Sequence, residues 1–147
     1  AFTYGVLDQR NIKVNRNISR DKTQRTKFNV SNDKGKNAIT KISNIKIFHG
    51  SISLLNCEII TGRTHQIRVH LLSLGLPIIG DKDYNFKEEQ KFRLMNMTED
   101  LREFVSLFPR QALHSYNIEF DHPLSNKHIK ITCDLPNDMK DLNKNLQ

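Results

Sequence analysis

Between Thr61 and His70 the chain reads Thr-Gly-Arg-Thr-His-Gln-Ile-Arg-Val-His, which packs two arginines, two histidines and a glutamine into one short stretch. The stretch sits where the hydrophobic period changes. Strand-like alternation runs up to Ile60, and then Ile67, Leu71 and Leu74 fall at i, i+4 and i+7, one face of a helix. A helix start carries unbonded N–H groups and the positive end of the dipole, so it suits a phosphate or a carboxylate. Gly62 would let a backbone come close, and Thr64 is the candidate N-cap. His65 and Arg68 are three apart and share a face, which Leu72 continues. His65 and His70 are five apart, about 140° around the helix, whereas zinc-protease histidines lie four apart; no metal site is expected here. Arg68 flanks the apolar face. It is either paired with a carboxylate or phosphate, because an unpaired buried charge is costly, or it snorkels with a wet head.

The elements that must hold this stretch alternate in type. Residues 1–7 read as a short strand ended by Asp8. Residues 10–37 read as a polar, basic β-rich arm that turns at Asp33-Lys34-Gly35. Residues 38–48 and 51–60 read as two strands around His49-Gly50, a hairpin. The helix from the Thr61 stretch stops at Gly75 and Pro77. Residues 87–107 read as helical with a break at Thr98, Ala112–Phe120 and His128–Cys133 as strands, and Pro136–Leu142 as a terminal helix. The fold class expected is α/β (α+β): a mixed, mainly antiparallel sheet with packed helices, in one domain over 1–147.

Charge is unevenly placed. Of a net +7, residues 10–49 carry +9, with eleven Lys or Arg against Asp21 and Asp33, and the remainder is −2. Such a segment either binds a polyanion through counterion release or is a solvated basic surface. With 37% hydrophobic and 27% charged residues, the chain has the composition of a globular protein rather than a disordered one. No apolar run reaches the length of a membrane span, and no basic leader with an apolar stretch opens the chain. Cys57 and Cys133 are expected as buried free thiols in a reducing compartment.

Four motifs, in order, resemble one family. Thr61–Leu71 (T-G-R-T-H-Q-I-R-V-H-L) resembles the signature of the RluA/RluC/RluD-type ribosomal large-subunit pseudouridine synthases. Leu76-Pro77-Ile78-Ile79-Gly80-Asp81 through Tyr84 resembles the family's G-D-x-x-Y loop. Arg110-Gln111-Ala112-Leu113-His114-Ser115 resembles its R-Q-A-L-H-A strand. Gly35-Lys36 with Ala38 and Thr40 resembles its G-K-x-A-x-T pattern. The likeness runs from near residue 1 to about residue 140. The family's R-L-D-x-x-T-S-G motif, which carries the catalytic aspartate, has no counterpart here, and Val6-Leu7-Asp8 is only an echo of it. The active-site tyrosine would fall just before Ala1, so Tyr4 is not that residue. Leu76 stands where the family usually has His.

The resemblance implies a pseudouridine synthase fold, of which this chain is the C-terminal portion of the catalytic domain. It implies isomerisation of uridine to pseudouridine in RNA, with 23S ribosomal RNA the expected class, in the cytoplasm and without metal or cofactor. Arg68 matches the arginine that pairs with the catalytic aspartate. Arg63, Thr64, His65 and Gln66 become candidates for phosphate or flipped-nucleotide contacts. Leu113 either lines the uracil pocket or is a core leucine; His114 reads as structural. Lys36, Arg16, Arg20, Lys22 and Arg25 would form an RNA-facing arm that reads shape and phosphate. A domain begun partway would leave a sheet edge open to self-association. The alternative is an RNA-binding module without catalysis.

Overall fold

A computed structural model of the chain describes residues 1–85 and 94–147. Five antiparallel strands form one sheet in the order β1-β5-β4-β2-β3: β1 (Phe2–Tyr4), β2 (Asn11–Arg20), β3 (Phe28–Ser31), β4 (Lys36–Phe48) and β5 (Ile52–Ile59). Helix α1 spans Gln66–Ser73, α2 spans Glu99–Ser106, β6 (Asn117–Asp121) pairs with β7 (His128–Thr132), and α3 spans Asn137–Asn145. The described residues form two compact units, Ala1–Ala112 and Leu113–Gln147. Every described pairing is antiparallel, within the fold class that the strand and helix patterns predict.

In the first unit, alternation places one face of β2 and β4 under α1. Val14, Ile18, Ala38, Thr40 and Ile42 are buried on that face, and Val69 and Tyr84 pack with Ile18 and Ala38, flanked by Phe28, Val30 and Leu72. Register sets Arg16 opposite Ala38, Ile18 opposite Lys36 and Arg20 opposite Phe28. The basic residues Arg16, Arg20 and Lys36 therefore stand on the same face as α1. The β2–β3 loop is tied by Asp21, whose carboxylate accepts from Thr23 N–H (2.8 Å), Thr23 Oγ1–H (2.7 Å), Gln24 N–H (2.7 Å) and the Asn29 side chain. These bonds favour the charged form and push the Asp21 carboxyl well down. They also set Lys22 and Arg25 on an ordered loop.

The outer side of β1 is covered by backbone. Tyr4 N–H donates to Pro77 O, Ile79 N–H to Phe2 O and Phe2 N–H to Ala112 O, and Ala112 N–H donates to Ile79 O. The opposite edge of the sheet is the four-residue strand β3.

Several boundaries differ from the sequence reading. Thr64 is exposed and does not cap α1; the N-cap is His65, in a left-handed conformation (φ 55°). The turn is held instead by Gln66, whose Oε1 accepts from Thr61 Oγ1–H and Arg63 N–H. The strand expected from Ala112 begins only at Asn117. The break at Thr98 is a true helix start, with the Thr98 hydroxyl accepting from Leu101 N–H; residues 87–93 of that expected helix lie outside the described residues. Cys57 is half-buried and Cys133 exposed, both free, so the thiols are less buried than their strand settings suggest. Among the described residues no helix is long and apolar enough to cross a membrane.

Gly80, like Gly35 at the β3–β4 turn, is a position where the fold demands glycine. Its φ is +73°, and a Cβ there would lie 2.0 Å from Arg110 O and 2.9 Å from Phe108 O. At Gly62 a Cβ would meet nothing within 4 Å. Gly80→Ala should therefore lose at least ~2 kcal/mol in urea denaturation, whereas Gly62→Ala should stay within ~1 kcal/mol of the parent. Equal losses would contradict this placing of strain.

Candidate functional site

Helix α1 is fastened to the sheet by polar groups as well as by Val69. The Gln66 side-chain amide donates to Ile39 O (3.0 Å) and to Thr40 Oγ1 (3.0 Å). His70 Nδ1 meets Thr40 Oγ1 at 2.8 Å, and His70 Nε2 meets Arg16 O at 3.3 Å. A carbonyl only accepts, so His70 Nε2 carries the proton and Nδ1 accepts from the Thr40 hydroxyl. Burial lowers the His70 pKa, in keeping with a neutral ring. Gln66 and His70 are thus among the most buried residues of α1, with Val69 and Leu71, while Ile67 and Leu74 are only half-buried. The inward face is rotated from the one that apolar spacing marks out, because hydrogen bonds to β4 make the burial of Gln66 and His70 tolerable.

Arg68 leaves the helix toward the loop that follows. Its Nε donates to Asp81 Oδ2 (2.7 Å) and its Nη2 to Asp81 Oδ1 (2.6 Å), a two-toothed pair. Nη2 also donates to Asp83 Oδ2 (2.6 Å). The side chains of Arg68 and Asp81 are 11% and 1% exposed, that of Asp83 54%. One pair is therefore buried and the other wet. Burial works against the Asp81 charge, but the hydrogen bonds and charge of Arg68 outweigh it and hold the carboxyl below its usual value. The same bond to Asp81 pushes the Arg68 pKa further up. Asp81 Oδ1 also accepts from Asp83 N–H (3.0 Å) and Tyr84 N–H (3.2 Å), so the loop that Gly80 opens is folded around this carboxylate.

The Tyr84 ring lies under the Arg68 guanidinium at 4.6 Å. Its hydroxyl is 2.9 Å from His65 Nδ1 and accepts from Phe28 N–H at 2.8 Å. The His65 ring stands edge-on to both Tyr84 and Phe28, each at 5.6 Å, and the Arg20 guanidinium lies 5.6 Å over Phe28. Burial first, and then the charge of Arg68, lower the His65 pKa.

Of the residues singled out by sequence, Arg63, Thr64, His65, Gln66 and Arg68 meet at the head of α1. Arg63 is exposed and its Nε donates to Asn37 O (3.1 Å), beside Lys36 on β4. Arg16, Arg20 and Lys36 stand on the strand face described above. Leu113, half-buried, belongs to the second unit, where His114 Nε2 lies 3.1 Å from Cys133 O. The alternative of a snorkelling Arg68 is set aside by its two-toothed pair. Sequence reasoning missed Asp81, Asp83 and Tyr84 as site residues. The G-D-x-x-Y loop was visible, but thirteen positions separate Arg68 from Asp81, and no local spacing reports that pairing.

The model of the RNA pseudouridylate synthase family matches residues 4–73, a little under half of the chain. Its sequence relatives include the ribosomal large subunit pseudouridine synthases D of Zymomonas mobilis (37% identical over 94 residues, 64% of this chain and 27% of that protein) and Nitrosomonas europaea (41% over 87 residues, 59% and 23%). The chain thus spans about a quarter of the length of these relatives. In fold it is similar to human RNA pseudouridylate synthase domain containing 4 (TM-score 0.69, 22% identity, 99% of this chain and 60% of that one). It is also similar to human RNA pseudouridylate synthase domain containing 1 (TM-score 0.68, 21% identity, 91% and 52%).

The two carboxylates should separate cleanly in their effects. Asp81→Ala leaves a nearly buried guanidinium with only the exposed Asp83 as carboxylate partner and should cost about 3 kcal/mol at pH 7; Asp83→Ala removes a wet pair and should cost under ~1 kcal/mol. Because the folded Asp81 pKa is depressed below 3.8, its contribution is complete above that value and is lost as pH falls through the folded pKa. Urea denaturation from pH 7 to pH 2 should show a shallower acid loss in Asp81→Ala than in the parent. Equal costs for the two variants would contradict the assignment.

Proposed function

We propose that the chain is the C-terminal portion of a pseudouridine synthase catalytic domain, and that the whole protein isomerises specific uridines in RNA, with 23S ribosomal RNA in the cytoplasm as its substrate. One observation carries this reading: motif residues far apart in sequence are one another's contacts. Thr40 of the G-K-x-A-x-T pattern bonds Gln66 and His70 of the helix motif. Asp81 and Tyr84 of the G-D-x-x-Y loop hold Arg68 and His65. Ala112 of the R-Q-A-L-H strand bonds Ile79, next to Gly80.

In the reaction N1–C1′ of uridine breaks and C5 joins C1′. An ionised aspartate, absent from these 147 residues, is the nucleophile or base. Arg68 keeps that carboxylate ionised and orients it. Asp81 already holds the guanidinium in a buried two-toothed pair, and in this reading the incoming carboxylate takes the place of the exposed Asp83 on Nη2. Arg63, Thr64, His65 and Gln66 form the head of α1, where Arg63 and Thr64 are exposed to a phosphate or a flipped nucleotide. Gln66 acts there as a structural brace, since both ends of its amide are already bonded. Lys36, Arg16, Arg20, Lys22 and Arg25 supply the cationic arm. The alternative reading is an RNA-binding module without catalysis, and the encoding frame decides between the two: the enzyme reading needs an R-L-D-x-x-T-S-G motif upstream.

Tritium release from 5-³H-uridine 23S RNA tests the enzyme reading. The full-length protein should turn over and the 147-residue chain should not. In the full-length protein Arg68→Lys keeps a cation against Asp81 but loses the two-toothed geometry. Turnover should fall at least ~100-fold while RNA affinity falls under ~10-fold. Lost binding with unimpaired turnover of bound RNA would place Arg68 in docking instead.

A further inference from the structure

Tyr84 joins two parts of the molecule that the reaction would need to act together. Its hydroxyl accepts from the N–H of Phe28, the first residue of the edge strand β3, and meets His65 Nδ1 at the head of α1. Its ring supports the Arg68 guanidinium. Phe28 lies opposite Arg20, whose guanidinium covers the Phe28 ring, and the ordered loop with Lys22 and Arg25 connects the two. The result is one row of contacts, Arg20–Phe28–His65–Tyr84–Arg68, from the basic arm to the candidate catalytic arginine.

Phe28 N–H can only donate, so the Tyr84 hydroxyl oxygen is the acceptor there. Burial raises the Tyr84 pKa and lowers that of His65, which keeps the phenol protonated, with its hydrogen free for an unprotonated His65 Nδ1. His65 holds a left-handed backbone (φ 55°) that a non-glycine residue adopts only when its surroundings impose it, and this hydrogen bond is one of the restraints that impose it. The backbone of Tyr84 is in turn anchored by Asp81.

We infer that Tyr84 is a positioning residue that latches the basic β2–β3 arm to the head of α1, so that the seat of the arm on RNA and the setting of Arg68 are coupled through one side chain. The inference rests on the RNA reading above and adds to it the residue that links binding to turnover. The two halves of the latch are separable, because the hydroxyl holds the arm and the ring holds Arg68.

The test compares Tyr84→Phe with Tyr84→Leu. In the 147-residue chain Tyr84→Phe should weaken binding of a 23S ribosomal RNA transcript about 5- to 10-fold, the scale of one lost hydrogen bond. Amide exchange should quicken at Phe28 and along β3 while the amides of Val69–Ser73 keep their protection. In the full-length protein the same variant should raise KM by a similar factor and lower kcat less than ~2-fold, whereas Tyr84→Leu should lower kcat by ~10-fold or more as well. Three results would overturn the latch: unchanged RNA affinity in Tyr84→Phe, a fall in kcat with KM unmoved, or faster exchange throughout the sheet and α1 with a lowered Tm. If the unaltered full-length protein releases no tritium, the enzyme reading falls, and RNA affinity and amide exchange still decide the latch.

Discussion

The bond between Arg68 and Asp81 is the constraint to which the rest of the first unit answers. A guanidinium 11% exposed against a carboxylate 1% exposed is tolerable only when both are paired and their remaining hydrogen-bond capacity is used. Asp81 accepts four hydrogen bonds, two from Arg68 and two from the backbone of its own loop. That satisfaction offsets desolvation, and the pair's geometry fixes a cation at one place beside α1.

The surrounding fold can be understood as what holds the two ends of that bond in place. On one side α1 must not rotate, and the Thr40–Gln66–His70 network pins its register against β4 with directional bonds where apolar packing would allow slippage. On the other side the loop must turn sharply out of the Ile78–Ile79 segment that lies along β1. Only a glycine fits at the turn, because Arg110 O closes over it. The aromatic row then ties both sides to the β2–β3 arm, so the site is assembled from α1, the Gly80 loop and the edge of the sheet.

Much of the fold was legible in the sequence. The β4–β5 hairpin around His49-Gly50, the turn at Gly35, the helix after Thr64 and the terminal helix near Pro136 all follow from period changes and glycine or proline punctuation. The errors share a cause, which is that burial by hydrogen bonding leaves no apolar trace. Gln66 and His70 lie off the apolar face that Ile67, Leu71 and Leu74 mark out, yet they are among the most buried residues of α1. Thr64 has the chemistry of a cap, yet the left-handed His65 and the Gln66 side chain take over the turn. The motif resemblance found Arg68 and named the loop containing Asp81, but the pairing of Arg68 with Asp81 is a tertiary fact. The Tyr84 hydroxyl is invisible to sequence for the same reason: its partners lie at positions 28 and 65.

The central claim is that Arg68 is an arginine held in place by Asp81 and not a solvated side chain that happens to lie nearby. A double-mutant cycle on stability measures that directly, using Arg68→Met, Asp81→Leu and the pair together. Each single variant should lose several kcal/mol, and the double should recover most of it, giving a coupling energy of at least ~2 kcal/mol. A coupling under ~0.5 kcal/mol, the scale of an exposed ion pair, would contradict the account.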